Sequence, residues 1–388
     1  PSTAKTIQDI GITYLNSGNK EKAGEYFNNA YILTESIYGT SNIQTAKMLI
    51  ALGVLYYEYE DDNTALEYYL KALKIQKEIL GNSHPDIAET YQHIGIIYKE
   101  KKEFKTASEY YTKCLNMRMD IYGNKHPKTV KILNLIAGLY NAQSNRLSEL
   151  EYLQKALISN IENFNDPDIY SNPNLRSDTA IYYSQLDLLK TLDKKANSLS
   201  ALFLESNDIK YLEESYKVYE ICGIIIQRMK RSLSNREDKL QLSRDMSDVY
   251  EKAITVCMQL FESTKQSKYF YKAFEYSELN KAGILLEALA STEAMKFSGI
   301  PDSVLDTEKE IMSEIAYFRK KISEDPENLN ARNELFKLNR KYEEFIILLE
   351  NQYEAYYELK YEAKPTEIKE IQKDLDENSV LLSYFMTE

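Results

Sequence analysis

The sequence runs to 388 residues, enough for two or more ordinary domains or for one elongated array. Hydrophobic residues make up 43% of it, while glycine and proline number only 12 and 8, and the remainder is rich in helix-compatible Lys, Glu, Leu, Ala and Tyr, which predicts an all-α protein. A net charge of −12 argues against direct contact with nucleic acid, since a phosphate-binding surface needs clustered Lys and Arg.

Three widely spaced cysteines, Cys114, Cys222 and Cys257, contain no CxxC pair. They suggest neither a disulfide framework nor a zinc site, and a reducing cytoplasmic setting is the expectation. No apolar run approaches the roughly 18 to 20 residues of a membrane helix, so no membrane contact is expected.

The N-terminal part repeats itself every 42 residues. IQDIGITY (Ile7 to Tyr14), LIALGVLY (Leu49 to Tyr56), YQHIGIIY (Tyr91 to Tyr98) and LNLIAGLY (Leu133 to Tyr140) share one pattern, with Gly11, Gly53, Gly95 and Ala137 in register and Tyr14, Tyr56, Tyr98 and Tyr140 three positions on. About ten residues later a second helix carries Ala23, Ala65 and Ala107, then Phe27, Tyr69 and Tyr111, then Ala30, Ala72, Cys114 and Ala156. Small residues where two helices cross let the backbones approach, and large ones fill the adjoining gaps. Each unit is therefore a helical hairpin that buries its apolar face only by stacking on its neighbours.

This pattern resembles the tetratricopeptide repeat (TPR), whose x2-L-G-x2-Y and A-x3-F signature the first three units meet. The fourth departs at Glu149, where a small residue is expected, and at Leu153 in place of the aromatic, so a looser unit is expected there. The usual period is 34, and the extra residues fall between units, where Gly39, Gly81 and Gly123 read as helix-ending glycines and Pro85 and Pro127 as helix starts. The form is similar to the long repeats of kinesin light chains. Four regular units are assigned to 1–162.

From 163 to 298 the periodicity is degraded, and longer, divergent hairpins continue the array. Asn163 to Asn174, with its Asn and Pro, reads as the joint. Ser215, Tyr219 and Cys222, then Ala273, Ser277 and Asn280, keep the spacing of the earlier second helices. Beyond Gly299 and Pro301, Ile311, Ile315, Phe318 and Ile322 face Leu335, Leu338, Tyr342, Phe345 and Leu349 at heptad spacing, which predicts an antiparallel coiled-coil hairpin over 299–365, ended by Pro365. Residues 366–388 read as a short helix and then a strand, SVLLSYFMTE (Ser379 to Glu388), apolar on both faces and without an upstream partner. The expected fold is thus all-α: a right-handed TPR α-solenoid, a long helical hairpin and a short C-terminal extended segment.

Three pieces, KAFEYSELNKAGILLEAL (Lys272 to Leu289), GIPDSVLDTEKEI (Gly299 to Ile311) and EIKEIQKDLDENSVLLSYFMTE (Glu367 to Glu388), together resemble the linker between repeats and protease in the caspase-HetF-associated-with-TPRs (CHAT) family. The resemblance implies the sensor arm of a caspase-like cysteine protease. That family's catalytic His and Cys lie beyond Glu388, so no residue of this sequence inherits a catalytic role. The alternative is a free-standing scaffold that organises a complex with no protease attached.

No enzymatic constellation emerges from the residues. Cys114 occupies a buried small-residue slot unsuited to a nucleophile partnered by His93 or His126. His84 and His126 fall in turns before proline, and no glycine-rich phosphate loop occurs, so neither metal nor cofactor is expected. The candidate site is instead the concave face lined by the first helix of each hairpin. Helical counting places there Gln8, Ile12 and Asn16; Lys47, Ile50, Val54 and Tyr57; Gln92, Ile96 and Lys99; and Lys131, Asn134 and Asn141. Amides and lysines beside apolar groups suit a peptide backbone bearing acidic side chains.

Overall fold

The computed structural model describes residues 2–175, 182–231, 236–280, 300–324, 328–361 and 368–375. Nearly all of these are helical, and among them no strand forms; one isolated antiparallel bridge joins Ile161 and Tyr182. The chain divides into two units, Pro1–Asn160 and Ile161–Glu388. The predicted strand SVLLSYFMTE and residues 281–299 lie outside the described residues.

The first unit is four hairpins: α1 (Ser2–Asn16) with α2 (Lys20–Tyr38), α3 (Ile43–Glu58) with α4 (Asp62–Leu80), α5 (Pro85–Glu100) with α6 (Phe104–Tyr122), and α7 (Pro127–Ala142) with α8 (Arg146–Asn160). The second helix of each packs on the first helix of the next, so the hairpins form a continuous stack. Within a hairpin the turn is a Schellman motif that repeats at the 42-residue step. The amides of Asn19, Asp61, Glu103 and Asn145 donate to the carbonyls of Tyr14, Tyr56, Tyr98 and Tyr140 at 2.8–2.9 Å. Its left-handed position falls on Gly18, Glu60, Lys102 and Ser144, with φ between 57° and 77°.

The turns between hairpins account for the longer period. Gly39, Gly81 and Gly123 end their helices at φ near +80°, a region open mainly to glycine. The next helix is then capped by a side chain: Asn42 Oδ1 accepts from the Gln44 amide at 2.9 Å, and His84 Nδ1 and His126 Nδ1 accept from the Asp86 and Lys128 amides at 3.1 Å. The two histidines are therefore helix N-caps, with Pro85 and Pro127 in the first turn behind them.

Between the helices of a hairpin, the glycine faces an aromatic ring. A Cβ on Gly53 would stand 2.5 Å from Tyr69 Cε1, and one on Gly95 would stand 2.5 Å from Tyr111 Cδ1 and Cε1. Both rings are fully buried. The fourth hairpin solves the same contact with the sizes exchanged, since Ala137 carries the methyl and Leu153 is smaller than the ring, and both are inaccessible. It is not the looser unit that Glu149 suggests. The Glu149 carboxylate is buried but accepts from Asn141 Nδ2 at 2.9 and 3.1 Å and from Arg146 Nη1 at 3.2 Å, so its polarity is matched within the hairpin.

In the second unit α9 (Gln185–Ser206) pairs with α10 (Ile209–Arg231). Ser215 takes the small-residue slot and donates from Oγ to the Ala196 carbonyl at 2.8 Å, with Tyr219 and Cys222 buried beyond it. α11 (Arg236–Asp245) is a short helix leading into α12 (Ser247–Thr264), followed by α13 (267–280). Tyr250 and Tyr276 meet between these two at 5.9 Å, and Asn280 Nδ2 donates to Ser247 Oγ at 3.0 Å. α14 (Asp302–Glu324) and α15 (Leu329–Gln352) form the expected helical hairpin around Ile311, Ile315, Leu338, Tyr342, Phe345 and Leu349. Its second arm does not run on to Pro365. It stops at Gln352, and the separate helix α16 (Glu354–Tyr361) brings Tyr356 and Tyr357 into the same core; α17 (Ile368–Asp374) follows.

Candidate functional site

The first helices α1, α3, α5 and α7 present residues that fall into rows at the 42-residue step. One row is Gln8, Ile50, Gln92 and Asn134; a second is Ile12, Val54 and Ile96; a third contains Tyr57, Lys99 and Asn141; and Lys47 and Lys131 share a fourth. Ile50, Val54 and Ile96 are half-buried against the core formed by α3 to α7, so each keeps part of its apolar surface toward solvent. Ile12 is 40% exposed. Gln8 and Gln92 are half-buried, Lys47 and Lys131 exposed. The Asn16 side chain lies outside the described residues.

Two of the sequence candidates are used differently. Asn134 is only 8% exposed, which withdraws its amide from the face. Asn141 is exposed, but its Nδ2 is engaged by both oxygens of Glu149 on α8. Lys99 is half-buried with Nζ 2.8 Å from Glu100 Oε1, a partly screened pair that leaves its stem available for apolar contact. Burial, followed by the nearby carboxylates of Glu100, Asp62 and Glu58, raises the Tyr57 hydroxyl above its ordinary value, so it stays protonated and able to donate.

Helical counting missed a further set of residues that the same period marks. Tyr26, Tyr68, Tyr110 and Tyr152 of the second helices stack on Tyr14, Tyr56, Tyr98 and Tyr140 at centroid distances of 5.3 to 5.7 Å. Lys22, Lys71, Lys113 and Lys155 lie over the rings of Tyr14, Tyr68, Tyr110 and Tyr152 at 4.4 to 5.5 Å. The stacked tyrosines bind the two helices of a hairpin together and so fix the angle at which the first helix presents its outer rows. Charge is divided unevenly along the chain. Residues 1–160 hold 18 basic and 18 acidic side chains, so the net −12 resides wholly in 161–388.

The thiols are unsuited to nucleophilic chemistry. Burial pushes Cys114 up to about 11 and Cys257 up to about 12, and raises Cys222 as well. His93 is half-buried with its ring stacked on Tyr69 at 5.0 Å. Among the described residues no group of three His, Cys, Asp or Glu side chains could hold a metal ion, and no helix is long and apolar enough to cross a membrane.

A tetratricopeptide-repeat family model matches residues 2–78 and 60–120. This part of the chain consists of TPR units, as its packing shows independently. No curated protein matches the chain. Among solved structures it is similar to BtubC (BKLC) from P. vanneervenii, at 16% identity and a TM-score of 0.45 over 57% of this chain and 78% of that one. It is similar also to a putative kinesin light chain with nearly identical TPR-like repeats from Podosopora anserina, at 16% identity and 0.45 over 56% of this chain and 95% of that one. The Rap conjugation gene regulator of plasmid pLS20, solved with the Phr* peptide, has 15% identity and a TM-score of 0.43 over 90% of this chain and 76% of that one. Likenesses at this level fix neither ligand nor partner.

Proposed function

We propose that the chain is a non-catalytic protein-binding scaffold whose first unit takes an extended peptide along the outer rows of α1, α3, α5 and α7. The observation that carries this reading is the registered face itself, in which part-exposed Ile12, Ile50, Val54 and Ile96 alternate with the amides of Gln8 and Gln92 and are flanked by Lys47 and Lys131. Adjoining apolar side chains that keep part of their surface in solvent mark a contact surface. Amides beside them satisfy a peptide's backbone groups, which would otherwise lose water without replacement. The flanking lysines favour acidic side chains on the ligand, chiefly through the rate of encounter.

Selection of a displayed random-peptide library on the whole chain tests this. An apolar and acidic consensus is expected, with binding lost in the Lys47→Ala, Gln92→Ala, Lys131→Ala triple variant while its far-UV circular dichroism is unchanged. Peptides that bind the variant as well as the parent, or a selection without consensus, would overturn the assignment.

A finer reading makes this scaffold the sensor arm of a caspase-like protease of the CHAT family, with the hairpin α14–α15 as part of the connection. Its support is the sequence resemblance of Lys272 to Leu289, Gly299 to Ile311 and Glu367 to Glu388. The reading frame after Glu388 decides it. Further codons supplying a His and a Cys after predicted strands support the protease, and a stop codon there leaves the free-standing scaffold.

A further inference from the structure

Among the described glycines, all but one have a use in the fold. Gly18, Gly39, Gly81 and Gly123 hold left-handed turns, and the helical glycines have a side-chain atom within 4 Å of where a Cβ would stand, except Gly138. Gly138 lies within α7, and a Cβ added to it would meet open space. A glycine there lowers local helix stability about two- to fivefold relative to alanine, and no close approach inside the protein requires it. At the 42-residue step it continues the row Ile12, Val54 and Ile96. The outer face of the fourth hairpin therefore shows bare main chain where the first three carry an aliphatic side chain.

One turn further along the same face stands the exposed Asn141. Its Nδ2 donates to both oxygens of Glu149 at 2.9 and 3.1 Å. Only the nitrogen end of an amide can donate to a carboxylate, so this contact fixes which way the amide points. Oδ1 is left at the other end, and it accepts no hydrogen bond among the described residues. Glu149 is only 3% exposed and is held in turn by Arg146 Nη1 at 3.2 Å. The same register carries Ala23, Ala65 and Ala107 in the other hairpins, so packing is met there without a carboxylate, whose burial is costly. In the fourth hairpin the buried acid sets the direction of an exposed acceptor beside the bare turn.

We propose that Gly138 and Asn141 form a main-chain subsite, in which the ligand's backbone lies against the bare turn of α7 and one of its amide N–H groups donates to Asn141 Oδ1. Glu149 acts as the positioning residue. The inference rests on the peptide reading of the outer rows and specifies what α7 contributes to it. Without a Cβ the helix surface admits another backbone at a distance that a side chain would block. A backbone N–H that leaves water needs an acceptor in place, and an amide already anchored through its nitrogen loses little freedom in supplying one. A carboxylate brings no donor to Oδ1. The subsite therefore reads the ligand's main chain and leaves acidic side chains to Lys47 and Lys131.

The probe is the synthetic consensus peptide of the display selection, with each amide replaced in turn by an ester, which removes one N–H and keeps the course of the chain. At least one ester is expected to bind the whole parent chain about fivefold more weakly than the amide. One such penalty is expected to vanish in Asn141→Ala and to shrink in Glu149→Ala. Gly138→Ala is expected to raise hydrogen-exchange protection of α7 about two- to fivefold while weakening the unmodified peptide about tenfold or more. Gly138→Val, the side chain found at Val54, is expected to weaken it further. Because Gly138→Ala gains stability, its loss of binding cannot come from unfolding. Equal binding by Gly138→Ala and the parent, or ester penalties that all persist in Asn141→Ala, would overturn the subsite. If the Lys47→Ala, Gln92→Ala, Lys131→Ala variant then still loses the peptide, the reading of the face stands without it; a selection without consensus overturns both.

Discussion

Substituting Gly95→Ala sets two effects of opposite sign against each other at one carbon atom. Alanine in a helix interior is worth about 1 kcal/mol over glycine, which on its own would stabilise α5. The new methyl, however, would stand 2.5 Å from two carbons of the Tyr111 ring, about 1 Å inside ordinary contact, and that ring is fully buried. Overpacking of this kind costs about 1 to 3 kcal/mol, and with two ring carbons struck at once the upper end applies, leaving a net loss of about 2 kcal/mol. The fourth hairpin supplies the control, since Ala137 and Leu153 pack there without clash. In a Tyr111→Leu background the same Gly95→Ala change should therefore stabilise by up to about 1 kcal/mol, giving a coupling of about 3 kcal/mol between the two sites. Because a repeat array need not unfold in one step, native-state hydrogen exchange of α5 and α6 is the appropriate measurement. Additive effects of the two substitutions, or stabilisation by Gly95→Ala in the parent background, would refute the ring-against-glycine account.

Other consequences are open to simpler measurements. Thermal unfolding of His84→Ala should show a loss of about 1 kcal/mol from the missing N-cap, whereas His84→Asn should restore most of it, because Asn42 performs the same task one unit earlier. Lys102→Gly should stabilise by about 0.5 kcal/mol, since relief of its left-handed backbone exceeds the extra chain entropy of glycine, and Gly18 already fills that register in the first hairpin. The buried Tyr111 hydroxyl has no hydrogen-bond partner among the described residues, so urea titration should find Tyr111→Phe as stable as the parent or more so. Burial, reinforced by Arg118 and opposed by Glu89, lowers His93 below its ordinary value. The folded chain then binds fewer protons there than the unfolded one, and stability should decline as pH falls below about 6.5, by at most about 1.4 kcal/mol per pH unit, a slope that His93→Phe should reduce.

What could be read from the sequence was whatever the 42-residue period carries. Each hairpin repeats the same local problem, so Gly53 and Gly95, Tyr69 and Tyr111, and the turn glycines Gly81 and Gly123 announce their roles by recurrence. The candidate face was only partly legible for the converse reason. Helical counting assigns Asn141 to an outer row from its own helix alone, yet what its amide does depends on α8, where Glu149 breaks the repeat and takes it up. A departure from a repeat alters the positions facing it as well as its own. The end of α15 at Gln352 was hidden because NQYEAYYELK suits a helix throughout, and only the packing of Tyr356 and Tyr357 back into the hairpin core requires the break.

Lys195 marks the limit of reading by residue type. Beside Lys194 in LDKKANSL it looks like part of a solvated face, but Leu188, Leu192, Lys195 and Leu199 step by four, three and four, the spacing of a buried stripe. Periodicity and polarity disagree at that position, and the structure sides with periodicity by giving the amine a carbonyl and an amide oxygen in place of water. A lysine held on an apolar stripe needs polar partners from elsewhere in the fold, and here they come from the non-helical stretch that the sequence marks as a joint. The irregularity of 163–175 and the misplaced charge on α9 are thus two halves of one arrangement, each unexplained by its own neighbours and explained by the other.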